Sequence, residues 1–195
     1  MSQHNLSIVP KFLAFLLLWP LVLWSQSPKA VERLRADVYV LADDAMEGRK
    51  VGTRGEQKAA AYLSGRMASL KLAEHELAPD YRVTFSAQPK VHGVAHGSPV
   101  TGTNMVGVVP GRNPKLAPLV VGAHYDHWGW GGEGSLYRGK DSAIHNGADD
   151  NASGVAAVLD GVTTFEPPVA IVLSGGNVDP LVLLRVLRHG LSAAG

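Results

Sequence analysis

"VVGAHYDHWG" (residues 120–129) and "HNGADDNASG" (residues 145–154) are the two stretches on which the reading of this chain turns. The first is a short valine-rich run bounded by turn residues, the pattern of a buried strand in an α/β sheet. It ends in His124 and Asp126. Ligands of open α/β sheets bind at the C-terminal ends of the strands, so these two side chains stand where chemistry is expected. Residues at i and i+2 share one face of a strand. Asp126 is therefore able to accept a hydrogen bond from the ring of His124 and fix its tautomer and aim. The second stretch crowds Asp149, Asp150 and Asn151 into a glycine-bounded loop before a helix that starts near Ser153. One such residue is enough to cap a helix. Two adjacent carboxylates, one loop away from a strand-end histidine, favour a hard or borderline cation, and neutral imidazole is a good zinc ligand.

Working outward, "ASGVAAVLDGV" (152–162) reads as a short helix and "VAIVLS" (169–174) as a further strand. "DPLVLLRVLRHG" (179–190) reads as a helix with Asp179 as N-cap, Pro180 in the first position and Gly190 past the end. Upstream, Val31, Leu34, Val38 and Leu41 recur at helical spacing. Thr53 and Glu56 form a capping-box pattern, and Ala60, Leu63, Met67 and Leu70 form the core-facing stripe of the helix that follows. Tyr81, Val83 and Phe85 alternate as in a half-buried strand. Residues 89–102 are a Gly/Pro-rich connection. His92 and His96 lie in it at i, i+4, but Gly93, Gly97 and Pro99 argue against the helix that would make that ligand spacing. "NMVGVVPG" (104–111) and "LVVGAHYDH" (119–127) read as inner strands. Strands alternating with helices mean an α/β architecture.

Composition narrows the function. A length of 195 residues supports one domain with a real core, and 46% hydrophobic against 18% charged residues is a globular balance. Lys+Arg of 18 against Asp+Glu of 17 gives no charge excess for nucleic acid. The absence of cysteine excludes thiolate zinc sites, a cysteine nucleophile and disulfides. At the N-terminus, Lys11 precedes the apolar run "FLAFLLLWPLVLW" (12–24), and polar "SQSPKA" follows. That order is a secretory signal over residues 1–27, with an uncleaved N-terminal anchor as the alternative. The run falls short of the ~20 apolar residues of a comfortable membrane span, and Pro20 would break a buried core helix.

"GAHYDHWG" followed by "NGADDNASG" resembles the M28 family of zinc-dependent metallopeptidases, mostly aminopeptidases and carboxypeptidases with two adjacent zinc ions. "MEGRKVGTRGEQKAAAYL" and "GTNMVGVVPG" resemble its exported members, so the likeness runs from about residue 30 to 160. The resemblance implies a three-layer α/β/α sandwich with a mixed sheet, of the phosphorylase/hydrolase-like zinc-peptidase type. It implies that His124 holds one zinc, that Asp126 orients His124, and that Asp150 bridges both metals, with a cis peptide after it. Asp149 is read as a loop residue or one that supports the ligands from behind. His127, His145 and Asp149 are the candidates for a third donor.

The family also uses a Glu-Glu pair just after the next strand, then a later aspartate and histidine. Here "GGNVDP" follows "VAIVLS", Glu166 precedes that strand, and Asp179 and His189 sit in a capped apolar helix that matches neither. The tail, 168–195, resembles a late segment of threonine ammonia-lyase and related pyridoxal-phosphate enzymes, in which Ser174 would contact the cofactor's pyridine nitrogen. The organisation expected is thus a signal or anchor (1–27), a partial M28-like domain (28–165) and a foreign strand–helix tail (166–195). The function expected is that of an exported, peptide-cleaving, aminopeptidase-like zinc enzyme, truncated, and weakly active or inactive. The alternatives are a non-catalytic metal- or peptide-binding module and a pyridoxal-phosphate lyase fragment.

Overall fold

The computed structural model describes residues 28–91, 94–95, 97–111, 113, 119–132, 135–162 and 169–175. The apolar run near the N-terminus, His92, His96, Glu166 and the helix expected over 179–190 lie outside the described residues. The chain divides into two compact units, Met1–Glu32 and Arg33–Gly195. Of the first, only the start of helix α1 (Pro28–Leu41) is described.

The valine-rich runs pair into a mixed sheet. Strand β1 (Arg82–Ala87) runs antiparallel to β4 (Val100–Val109), with Val83 opposite Asn104. β4 runs antiparallel to β6 (Val169–Ser174), with Met105 opposite Leu173. β6 runs parallel to β5 (Leu119–His124), with His124 opposite Ser174. The order is β1-β4-β6-β5. Parallel neighbours need a long crossover, and α3 (Ser153–Gly161) supplies it between β5 and β6. Between β1 and β4, where an irregular connection is expected from the sequence, β2 (Lys90–Val91) and β3 (Val94–Ala95) form a small antiparallel pair.

Side-chain alternation decides the faces. Met105, Ile171 and Leu173 point to one side, where they pack with Leu63 and Met67 of α2 (Arg54–Ser69) and Val155 and Leu159 of α3. Val106 and Val172, one residue out of phase, point to the other side with Ala78, Val83 and Val120. Each such aliphatic side chain contributes about 1.5–3 kcal/mol when fully buried. The described helices therefore cover one face of a mixed α/β sheet. The second helical layer of a three-layer sandwich is not among the described residues. α1 is held to α2 by a buried ion pair: Asp37, 2% exposed, accepts from Arg66 Nε at 2.6 Å and Nη2 at 3.0 Å, and from Tyr62 Oη at 2.5 Å. It is joined to α3 by Arg33 on Asp160 at 2.6 Å.

Three local expectations change. β5 is the edge strand among the described residues rather than an inner one, and Leu119 is 55% exposed; its valine content reflects the half-buried pairing with β6. The capping box of α2 does not form. Thr53 makes no side-chain cap, and its hydroxyl donates to Lys50 O at 2.5 Å. Glu56 instead takes the Gly52 N–H at 2.9 Å and the Thr103 N–H at 2.6 Å, because a strand donor reached through tertiary packing outcompetes the local one. Tyr81 does not continue the alternation of β1. It lies in a 3-10 turn with φ 62° and joins the helix-side core, donating to Leu72 O at 2.9 Å, whereas Val83 faces the opposite side.

Candidate metal centre

The parallel pairing of β5 and β6 sends both C-termini to one sheet edge, and His124 is the last residue of β5. Its ring is held from behind. Nδ1 lies 3.2 Å from the Asp126 carbonyl oxygen and 3.4 Å from Asp126 Oδ1. Nδ1–H therefore donates to Asp126, which leaves the lone pair on Nε2. Burial raises the Asp126 carboxyl above the usual carboxylate range, and the neighbouring His124 pulls it partly back.

Nε2 faces Asp150 Oδ1 at 3.1 Å. Asp150 comes from the turn Ala148–Ala152 that opens α3, and its peptide bond to Asn151 is cis. The other carboxylate oxygen, Oδ2, lies 3.8 Å from His127 Nδ1. The His127 ring is only 12% exposed, and burial lowers its pKa, opposed in part by Asp150. The neutral, ligating form is thereby favoured. Gly147 is what admits this ring: its φ is +57°, and a Cβ there would stand 2.6 Å from His127 Cγ.

The spacing has a chemical meaning. A lone pair on Nε2 and a carboxylate oxygen 3.1 Å apart repel unless a proton or metal cation lies between them. Two donors at ~2.1 Å from a tetrahedral zinc stand roughly 3.4 Å apart. The donors fit zinc in type and spacing, yet they furnish only part of a four-donor shell, and among the described residues no group of three or more His, Asp or Glu is arranged to hold a metal ion. His145 does not converge on the pair. Its Nδ1 lies 2.9 Å from Ala143 O and its Nε2 2.6 Å from Ser135 Oγ, and its ring centroid is 6.5 Å from that of His127. The Asp149 side chain is exposed, and its carbonyl accepts the Ser153 hydroxyl at 3.1 Å.

His124, Asp126, His127 and Asp150 border an open cleft of about 550 Å³ that is also lined by Val51, Phe85 and Val100. No glutamate borders it among the described residues. Just after β6, where the family carries its glutamate pair, stands Gly175. Its N–H donates to the buried Asn104 Oδ1 at 3.1 Å, and a Cβ on it would lie 2.8 Å from Tyr125 Oη and 3.0 Å from Glu56 Oε1. The residue in that place is packed into the sheet rather than turned toward the cleft.

Sequence reading does not single out Arg49. Its side chain is 0% exposed and threads between the two motif loops, donating to the carbonyls of Leu41, Tyr125 (2.5 Å), Asn146 (2.6 Å) and Gly147 (2.9 Å). Burial lowers its pKa to about 10, and the Asp126 and Asp150 carboxylates push the other way. The only signal in the sequence is its place in the quoted "MEGRKVG" stretch, where nothing distinguishes it from its neighbour Lys50.

Residues 104–171, which include His124, Asp126 and Asp150, match the family model for peptidase family M28. The fold is shared with a glutaminyl cyclase from Fimbriiglobus ruber, 18% identical over 77% of this chain and 46% of that one, with a TM-score of 0.52. A leucine aminopeptidase precursor from Bacteroides thetaiotaomicron is 18% identical over 74% of this chain and 44% of that one, with a TM-score of 0.50. A Zn-dependent exopeptidase from Parabacteroides distasonis is 17% identical over 73% and 45%, also at 0.50. At these identities the likeness is one of fold, and the chain spans less than half the length of each structure. No curated protein matches the chain by sequence. The resemblance to family M28 is thus shown over the segment that carries both motifs, whereas none of these comparisons shows the ammonia-lyase likeness of the tail.

Proposed function

With residues 104–171 matching peptidase family M28, we propose that the chain carries one half of an exopeptidase zinc centre, with His124 and Asp150 as its donors and Asp126 as the residue that orients His124. The observation that carries this is the 3.1 Å approach of His124 Nε2 to Asp150 Oδ1 while Nδ1 is engaged by Asp126. Zinc supplies Lewis acidity toward a peptide carbonyl and toward water. The apolar lining of Val51, Phe85 and Val100 suits the side chain of a peptide substrate. The signal-like segment at residues 1–27 supports export.

The chain's own residues limit turnover. A general base is typically worth ~10²–10⁴-fold, and here the carboxylates bordering the cleft have other roles: Asp126 holds the His124 ring, and Asp150 is the proposed metal donor beside His124 Nε2. The outcome proposed is weak, substoichiometric zinc after dialysis, and little or no hydrolysis of amino-acid arylamides even with zinc added. His124→Ala should remove the remaining zinc. Tight stoichiometric zinc with robust hydrolysis that vanishes in Asp150→Ala would show a complete centre instead. Zinc that survives in His124→Ala would sink the assignment of the donors. Zinc without turnover would leave the metal-binding module as the function.

A further inference from the structure

We infer that Arg49 is the positioning residue that sets the cation affinity of the His124–Asp150 pair, by locking the strand end that carries one to the loop that carries the other. The inference rests on the metal-centre reading above and adds to it a residue that touches neither metal nor substrate.

The two donors are distant in sequence and sit on separate loops, so their 3.1 Å approach needs a tie between those loops. Arg49 supplies one. Its Nε donates to the carbonyl of Tyr125, the residue between His124 and Asp126. Its Nη1 and Nη2 donate to Asn146 and Gly147, the residues that lead into the Asp150 turn. The Gly147 carbonyl also receives the Ala152 N–H at 3.2 Å, on the far side of Asp150. The backbone of the same segment joins in: the Arg49 carbonyl accepts the His127 N–H at 3.2 Å, and the Gly48 carbonyl accepts the Gly129 N–H at 2.9 Å.

Glu47, Gly48 and Arg49 all have left-handed backbones, with φ of 52°, 66° and 49°. That conformation disfavours residues with a Cβ, and here it turns the arginine inward. Only a planar fork with several donors reaches three separate chain segments at once, so lysine is no substitute.

Charge and position predict opposite signs, which makes the idea decidable. Arg49 is a cation beside a proposed cation site. As a charge alone it weakens metal binding, and its removal would strengthen binding. As a positioning residue it strengthens binding, and its removal weakens it.

The experiment is a cobalt(II) titration of the full chain, read by the visible d–d absorption, for wild type, Arg49→Met and Arg49→Lys, with circular dichroism as the check of folding. Residues that orient metal ligands typically account for ~10–100-fold in affinity. We expect a loss of that size in both variants, with an altered d–d band in Arg49→Lys, which keeps the charge and loses the fork. A folded Arg49→Met that binds cobalt as well as wild type, or better, overturns the inference.

Hydrogen exchange on the wild type decides the matter if neither variant folds. Cobalt should raise protection of the His127, Gly129 and Ala152 amides together. Protection of none of them overturns the inference. A wild type that binds no cobalt removes the metal-centre reading itself, which is a different result from binding that ignores Arg49.

Discussion

Glu56 and Asp150 are both carboxylates placed by a helix or its opening turn, and they have opposite surroundings. Glu56 is 1% exposed and takes hydrogen from the Gly52 N–H at 2.9 Å and the Thr103 N–H at 2.6 Å, with the Tyr125 hydroxyl oxygen 3.1 Å away. The Asp150 side chain is 63% exposed and faces two imidazoles. The first carboxylate has its lone pairs filled from within the fold, so its work is to hold α2, β4 and the end of β5 together. The second is presented to solvent beside other lone-pair donors, the arrangement of a ligand. Burial with full satisfaction marks structure, and exposure with convergent donors marks a binding site.

Glu56→Ala is the strongest way to break this contrast. It strips partners from the Gly52 and Thr103 amides, each an unsatisfied donor costing about 1–3 kcal/mol. We expect a loss of about 3–5 kcal/mol in urea unfolding. A loss under about 1 kcal/mol would mean that Glu56 is not the tie described.

Tyr125→Phe comes next. Its hydroxyl donates to Thr103 O at 2.6 Å and lies against Glu56, and its removal should cost about 1–2 kcal/mol. The same network carries a pH dependence. Burial, and then Glu56, push the Tyr125 phenol above its ordinary range; burial and the bond to Asp37 do the same for Tyr62. Ionisation is therefore easier in the unfolded chain. The stabilisation from these phenols is complete below the unfolded value of about 10 and declines as pH rises from there toward the folded-state values. Unfolding midpoints should fall above pH 10, and tyrosinate absorbance from these two residues should appear only with unfolding. A flat stability profile through that range would contradict the burial described.

Thr53→Ala sharpens the account of α2. A working N-cap is worth about 1 kcal/mol, but this hydroxyl does not cap, so a few tenths is expected; a full unit would restore the capping box. His124→Ala should be smallest for stability, within about 0.5 kcal/mol, because the side chain is 44% exposed. If the proposed zinc centre holds, its effect should appear in metal content alone, and a large stability loss would place His124 among the structural residues with Glu56.

Local pattern was enough for most elements. α1, α2, α3, β1, β5 and β6 lie where hydrophobic period and turn residues put them, because period 2 and period 3.6 are imposed by backbone geometry; β4 starts earlier than expected, at Val100, within the stretch read as a connection. The grouping of His124, Asp126 and Asp150 was legible for a related reason. A strand end and a helix start in neighbouring parallel units are brought to one edge by the topology itself.

What eluded the sequence were choices among partners. Glu56 stands at capping-box spacing from Thr53, and no sequence rule says that a strand amide would win it. Arg49 beside Lys50 looks like surface charge, and only the end of α1 and the two motif loops closing around it make it a buried cation. Gly175 reads as a turn glycine until Tyr125 and Glu56 are seen against it.

The sequence by itself determined the elements, the mixed α/β class and the residue types at the C-terminal edge of β5, since these follow from periodicity and from motifs contiguous in the chain. Only the tertiary structure decided which faces were covered, that β5 lies at the edge among the described residues, and that His124 Nε2 and Asp150 Oδ1 stand 3.1 Å apart with Arg49 bridging their loops. Those outcomes depend on hydrogen-bond and charge competition between segments distant in sequence, and that competition is settled only when the chain closes on itself.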